Sequence, residues 1–542
     1  MTEQSPGTES REPVRVGRLF VFWFALILLV KWPALFEPPI WDAAFGLFPA
    51  AGELADSGFN LVRLLQLPTY HQGGPNCHAE SVVTWLTALV LGALGKGPES
   101  FVILHLLHFA TAAVTLAVLQ QFIAENLGRI EAWAISAATF ACPLFSVQTG
   151  AMYFEIPLAA CAVGALTAYA KGRIGSALIW SCLAVLVKQV GVIVPAVLIV
   201  AVILRRESWW KRIAMIAGLA VPAGLVAGLP LIGTPILKAA ASPIVHDNWW
   251  SFMTLNHMPY LKAIPDIATA FGVLIIVSIF FAPGIWRSLR EACPQSTSTP
   301  QRNANPADTG ARAALFFSLA CLQMLAFAGF FFVVPFFGRL DFYCLPRYFV
   351  FLLPMLAFGL AYAMSVTTSR RVAVAGMIVT SIWFVLNRDG TWYPPAQRNN
   401  GAMAERSESC RWLAAIQQDA TRSIARVPAE NLVLYGLPEH YFLHHPWMGY
   451  AEKPHPGGRC VTLTLERPQS LKLDDLPDRF YVMVDAVILG GRELRAIVRE
   501  AKADPTRHVR VIGNYVREPY QVSLYEISRV HPQQDETIAR RN

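Results

Sequence analysis

The chain has 542 residues, 54% of them hydrophobic and 15% charged, with a formal net charge of +8 at pH 7. An ordinary soluble domain carries about 25% charged residues, so this composition, with a mean hydropathy of +0.41, excludes a soluble globular enzyme. The positive balance does not mark a nucleic-acid binder, because the basic residues fall in short clusters between long apolar runs, as they do in the cytoplasmic loops of membrane proteins.

Residues 1–18 are polar and contain Arg11, Arg15 and Arg18, which places the N-terminal tail in the cytoplasm. Leu19 to Phe36 is long enough to span a bilayer. It lacks a small-residue cleavage pattern and is read as a retained span. Lys31, near its outer end, is expected to reach the interface along its aliphatic stem. Residues 37–100 then form the first outer loop. This stretch is too polar to cross and too apolar to float free, so its amphipathic helices are expected to lie flat on the membrane. Ser81 to Gly95 is placed there too. Counted as a span, it would turn Arg129 and every later basic cluster outward.

Further spans are expected at 101–123, 131–148, 156–170, 174–187, 190–204, 213–232, 267–282, 313–336, 348–364 and 372–386. That makes a polytopic α-helical transmembrane domain over 19–386 with about eleven spans, every strongly basic loop inside. No internal repeat of the transporter kind is visible. Residues 387–542 change character. Strand-length apolar runs at Leu432–Tyr435, Val461–Leu465, Phe480–Val484, Val509–Ile512 and Val522–Ile527, with helical spacing over Gly491–Lys502, predict a small extracytoplasmic α/β domain.

The nine cysteines show no metal-ligand spacing. Cys142, Cys161, Cys182 and Cys321 lie in apolar runs as packing residues. Cys410 and Cys460 share the C-terminal part and are candidates for a disulfide if that part is outside the cytoplasm. His444, His445 and His455 have no convincing third ligand in the sequence and read as surface histidines.

Four outward features carry charge beside the membrane: Trp41-Asp42, Phe154-Glu155-Ile156-Pro157, Val187-Lys188, and Pro346-Arg347-Tyr348. Ionisable groups at a bilayer are costly and are functional candidates by default. Each also has a plainer reading: Asp42 is an interfacial residue, Glu155 caps a helix, and Lys188 and Arg347 snorkel. Together they suit the transfer of a sugar from a phosphate carrier. A base takes the acceptor proton, and cations stabilise the departing phosphate, for which the planar fork of arginine is well shaped. His71, His78 and Glu80 are second-rank candidates, and Asp247-Asn248-Trp249-Trp250 offers aromatic faces to a sugar or to the interface.

These features also resemble, in their order, the polyprenyl-phosphate-sugar-dependent glycosyltransferases of the GT-C fold, among them the protein mannosyltransferase-like and aminoarabinose-transferase-like enzymes. The resemblance covers about residues 19–365. It rests on Asp42-Ala43-Ala44 through Gly58-Phe59, Pro75-Asn76-Cys77-His78, Trp85 through Gly95, Glu155-Ile156-Pro157-Leu158, Leu186-Val187-Lys188, and Arg347-Tyr348 through Pro354. The chain departs from that family in lacking an Asp-Glu pair at 42, in Glu rather than Asp at 155, and in Gln189 where the family has Gly.

The resemblance implies an enzyme of a cell-envelope pathway in the inner (cytoplasmic) membrane. It would transfer a hexosyl or pentosyl group with inversion from a polyprenyl-phosphate-sugar donor, on the outer face, to a glycan, lipid or protein. Asp42 and Glu155 would be catalytic. Lys188, Arg347, Tyr348, His78 and Glu80 would bind substrate. Some members need a divalent cation; Asp42 and Glu155 are a thin ligand set for Mg or Mn, and no metal is assigned. The competing reading is a transporter or flippase of lipid-linked sugars. It would call for mid-span charges and repeated halves.

Overall fold

The structure, a computed structural model, describes residues 15–40, 43–67, 78–204, 208–233, 306–333, 346–388, 410–461, 471–485, 491–517 and 520–530. It is mostly helical, with a single five-stranded sheet near the C-terminus among the described residues. The first helices are α1 (Val16–Lys31), α2 (Phe48–Asp56), α3 (Leu61–Gln66), α4 (Val82–Leu94) and α5 (Pro98–Asn126). There follow α6 (Arg129–Ala141), α7 (Pro143–Gly150), α8 (Glu155–Ala170), α9 (Ile174–Val187), α10 (Ile193–Leu204) and α11 (Trp209–Gly233). After these come α12 (Pro306–Val333), α13 (Leu353–Thr367) and α14 (Arg370–Leu386).

Among the described residues four helical stretches are long and apolar enough to cross a membrane: Val16–Phe36, Pro98–Asn126, Gly310–Phe327 and Arg347–Val366. The pair α6 and α7 would make a fifth, but it is bent by 64°. The straight span expected over 131–148 is therefore broken at Cys142-Pro143, where a proline removes a backbone donor and clashes with the preceding turn. Shorter apolar helices occupy 155–170, 174–187 and 189–204. The span expected at 267–282 and the Asp247–Trp250 segment lie outside the described residues.

One face of α1, Leu19, Trp23, Ile27 and Lys31, is buried. The spacing of four makes a single stripe, and the stripe packs along α5. Lys31, 5% exposed, ends this stripe and packs within the protein. Within the same contact the Trp23 indole N–H donates to Gln120 Oε1 at 2.6 Å, which satisfies two polar groups in an apolar setting. A π-helical turn, Ala43–Leu47, runs into α2, and Ala43, Ala44, Leu47, Phe48, Ala50, Ala51 and Leu54 are all buried.

The C-terminal part has helices α15 (Cys410–Ile424), α16 (Leu437–His444) and α17 (Gly491–Ala503). Its strands are β1 (Leu432–Tyr435), β2 (Gly458–Cys460), β3 (Arg479–Asp485), β4 (Arg507–Arg517) and β5 (Tyr520–Arg529). Their order is β2-β1-β3-β5-β4. β1 pairs in parallel with β2 and β3, while β5 is antiparallel to both β3 and β4. Strand alternation divides two cores. Val433, Tyr435, Tyr481 and Met483 pack with α15 on one face, and Leu434, Phe480, Val482 and Val484 pack with α17 on the other. β2 ends at Cys460, and all but Val461 of the strand expected at 461–465 lies outside the described residues. Cys460 is a free thiol, so the disulfide with Cys410 does not form.

The sheet region is fastened to the helices. Ile40 and Val147 join the core beneath α15. Tyr441, Phe442, Met448 and Tyr450 join the helical core. Tyr450, fully buried, stacks on Phe442 at 3.8 Å and donates its hydroxyl to the Pro39 carbonyl at 2.9 Å. Trp447 lies so close over Gly52 that a Cβ there would come within 3.0 Å of its ring.

Candidate active site

Glu155 opens α8. A carboxylate in the first turn of a helix faces its unpaired backbone N–H groups, a placement that favours negative charge. Glu155 is 2% exposed. Its Oε1 takes the Lys188 ammonium at 2.7 Å, and Arg347 Nε stands 3.8 Å from the same oxygen. Its Oε2 is buried with no hydrogen-bond partner among the described residues.

Lys188 sits where α9 stops. Its backbone turns extended before a short 3-10 turn, Gln189–Val192. That reversal is tight enough to demand glycine: a Cβ at Gly191 would lie 2.0 Å from the Ala184 carbonyl oxygen. Arg347 and Tyr348 come from the 3-10 turn Pro346–Leu352 that leads into α13. The two cations lie against two aromatic faces. Lys188 Nζ is 4.4 Å from the Tyr348 ring centre and 5.2 Å from that of Tyr153. The Arg347 guanidinium is 5.3 Å from each. These distances fall within the range of cation–π attraction.

His78 and Glu80 close the group from the first outer loop. The His78 ring meets Phe154 edge-on at 4.7 Å, and His78 Nδ1 is 3.8 Å from Glu80 Oε1. Gln189 donates its amide to the same Glu80 oxygen at 3.2 Å. Burial pushes the Glu80 carboxyl up, but His78 first, then the backbone N–H of Glu80 and the Gln189 amide, outweigh it and hold the group below the usual carboxylate range.

Six of the seven expected site residues, Glu155, Lys188, Arg347, Tyr348, His78 and Glu80, thus form one connected cluster. The seventh, Asp42, lies outside the described residues, as does His71. The structure adds Tyr153, Phe154 and Gln189. Tyr153 and Phe154 precede Glu155 in the sequence but carry no charge to single them out, and neither does the neutral amide at 189.

His105 and His108 on α5 are buried with ring nitrogens on the Phe101 and Gln148 carbonyls, and read as structural. Two of the histidines expected at the surface are partly enclosed. Burial first, then His444 and Lys96, pushes His445 down to about 4, and His455 bonds the Val427 carbonyl.

Among the described residues no three His, Cys, Asp or Glu side chains converge on a metal position, and Asp42, the other acid of the sequence's ligand set, lies outside them. Both cations face the Glu155 carboxylate through Oε1. What the arrangement suits is an anion: an ammonium and a guanidinium with aromatic walls, at the ends of apolar helices, can take a phosphate group.

No known family profile matches the sequence, and no curated protein matches it. The chain is similar in structure to ArnT from Cupriavidus metallidurans bound to undecaprenyl phosphate, at 14% identity over 94% of this chain and 98% of that one, with a TM-score of 0.43. It is likewise similar to the apo state of that ArnT, with the same identity and coverage and a TM-score of 0.40.

Proposed function

We propose that the chain is a membrane glycosyltransferase that takes a sugar from a polyprenyl-phosphate donor and passes it to an acceptor of the cell envelope. The observation that carries this reading is the cluster of Glu155, Lys188 and Arg347 between Tyr153 and Tyr348. A polyprenyl tail would stay among the apolar helices while its phosphate meets Lys188 and Arg347. As the bond from the anomeric carbon to the phosphate oxygen breaks, charge develops on that oxygen, and preorganised cations stabilise it more than they stabilise the starting ester. Glu155 holds Lys188 in place. A single in-line displacement would invert the anomeric carbon.

The reaction would run on the outer face of the cytoplasmic membrane. The N-terminal tail would be inside and residues 387–542 outside, beside the site. Asp42, from the first outer loop, is the sequence candidate for the base, and the phosphate-binding role of the cluster does not depend on it.

The test is a transfer assay on the purified full chain in lipid, with a panel of polyprenyl-phosphate sugars. Wild type should transfer from at least one donor, and Asp42→Asn should reveal whether that carboxylate takes part. Binding of the donors with no turnover, together with movement of them across the bilayer, would replace this reading with that of a flippase.

A further inference from the structure

His78 has a left-handed backbone, φ +49°, one of three described non-glycine residues with positive φ. A side chain with a Cβ avoids that region unless its surroundings over-determine it, and here they do. The Ser81 N–H and the Thr84 hydroxyl both donate to the His78 carbonyl, at 3.0 and 2.8 Å. The Trp85 indole donates to the Ala79 carbonyl at 2.7 Å. Two more bonds tie the turn across the chain: the Ser81 hydroxyl to the Val187 carbonyl at 2.7 Å, and the Gln189 amide to Glu80 at 3.2 Å. Val187 and Gln189 flank Lys188. The turn that strains His78 is therefore fixed to the residue that would hold the donor phosphate.

What the turn presents is an imidazole with a carboxylate behind it. Glu80 stands at Nδ1, 3.8 Å away. A carboxylate there favours the tautomer protonated on Nδ1, which leaves a lone pair on Nε2. The His78 side chain is 25% exposed and that of Glu80 10%, so the imidazole can be reached and its partner is shielded. Among the described residues the charged groups nearest it are Glu80 on its own turn and, across the Phe154 ring, Lys188 with its partner Glu155. Lys188 Nζ is 6.0 Å from that ring.

We propose that His78 is the base of the transfer reaction, that Glu80 and Gln189 are its positioning residues, and that the acceptor therefore presents a neutral hydroxyl. This rests on the glycosyltransferase reading. The acceptor proton passes to His78 Nε2 as the acceptor oxygen bonds to the anomeric carbon. The bond from that carbon to the carrier phosphate breaks, and its electron pair stays on the phosphate beside Lys188 and Arg347. His78 then gives the proton to solvent. An acceptor phosphate would arrive already anionic and have no use for this base.

The experiment uses the full chain in lipid, a panel of polyprenyl-phosphate sugars, and two acceptor probes. Octyl glucoside offers only hydroxyls, and phosphatidic acid offers a phosphate. The variant is His78→Asn, because asparagine tolerates a left-handed backbone and has no nitrogen that titrates. Wild type should glycosylate octyl glucoside with a rate that falls on the acid side. His78→Asn should lower kcat by about 10²- to 10⁴-fold, leave the donor KM unchanged, and lose the acid limb. Glu80→Gln should lower kcat and leave the donor KM unchanged, as loss of a positioning partner does.

Transfer by His78→Asn at the wild-type rate, with the same limb, would overturn the proposal. So would a limb that disappears in Asp42→Asn and not in His78→Asn, or transfer by wild type to phosphatidic acid alone. Absence of transfer by wild type from every donor to both probes would overturn the glycosyltransferase reading, and this proposal with it.

Discussion

Glu155 and Glu439 occupy matching local positions and opposite electrostatic ones. Each lies in the first turn of a helix, Glu155 in α8 and Glu439 in α16, and each is 2% exposed. Glu155 faces Lys188 at 2.7 Å and Arg347 at 3.8 Å. Glu439 faces another acid. Burial and then Asp485, which ends β3, push its carboxyl up to about 8. The helix dipole is the same in both places, so the difference comes from the neighbours. Two cations keep an anion useful at the first site. At the second, two acids side by side cannot both ionise without penalty, and the pair holds a proton into the neutral range. Glu439 in turn adds to the burial that pushes the Cys460 thiol up to about 12.

The same substitution should act with opposite sign at the two sites. Glu155→Gln removes the anion and leaves Lys188 and Arg347 buried around a neutral amide. Breaking a buried pair in this way costs about 3–5 kcal/mol. The unfolding midpoint of the detergent-solubilised chain should drop markedly in the absence of donor, and transfer should fall with it. An unchanged midpoint would mean that water reaches the cluster and screens it, and the contrast with Glu439 would collapse.

Glu439→Gln should stabilise, and only at higher pH. The folded carboxyl is raised from 4.5 to about 8, so between those values the folded state binds more protons than the unfolded one. Its contribution to stability is complete below about pH 4.5 and is lost as pH rises through about 8. Wild type should show hydrogen exchange in β1 and β3 that quickens over this window beyond the intrinsic pH dependence. A glutamine cannot lose that proton, and the variant should show no such excess. An equal excess in both proteins would remove the proton from the Glu439–Asp485 pair.

Much of the first site was legible in the sequence, and none of the second. Glu155, Lys188 and Arg347 stand out because a charge at the end of an apolar run is costly enough to need a reason. Three segments far apart in the chain then meet because α8, α9 and the turn before α13 share one core. Tyr153 and Gln189 escaped because aromatics at helix ends are common and an amide has no charge. The Glu439–Asp485 contact depends on β1 and β3 being parallel neighbours, and on Gln417 of α15 reaching Asp485 at 3.1 Å. No local pattern announces such a pairing.

Strands β1 and β3 themselves were readable as short apolar runs, whereas the three residues of β2, Gly458-Arg459-Cys460, have no apolar pattern to announce them. Lys31 is legible from spacing alone: four residues after Ile27, it falls on the buried stripe of Leu19, Trp23 and Ile27.

The smallest effect belongs to a third glutamate, which has two cations as Glu155 has, but at the surface. Glu526 on β5 takes Arg479 and Arg510, each at 2.6 Å, across the sheet from β3 and β4. These pairs are as short as that of Glu155, and the Glu526 carboxyl is partly covered. Burial pushes it up, but Arg510 and Arg479 outweigh burial and hold it below the usual range. Both guanidinium groups, however, are more than half exposed. Water and salt screen them, and holding two long side chains in place costs entropy. Glu526→Gln should therefore lower stability by only about 0.2–1 kcal/mol, and that small loss should shrink further as salt is raised. The loss at Glu155 should be nearly indifferent to salt. If Glu526→Gln proves as damaging as Glu155→Gln, the stoichiometry of charge and not its burial governs these sites, and the distinction drawn from Glu155 and Glu439 would have to be rebuilt on distance alone.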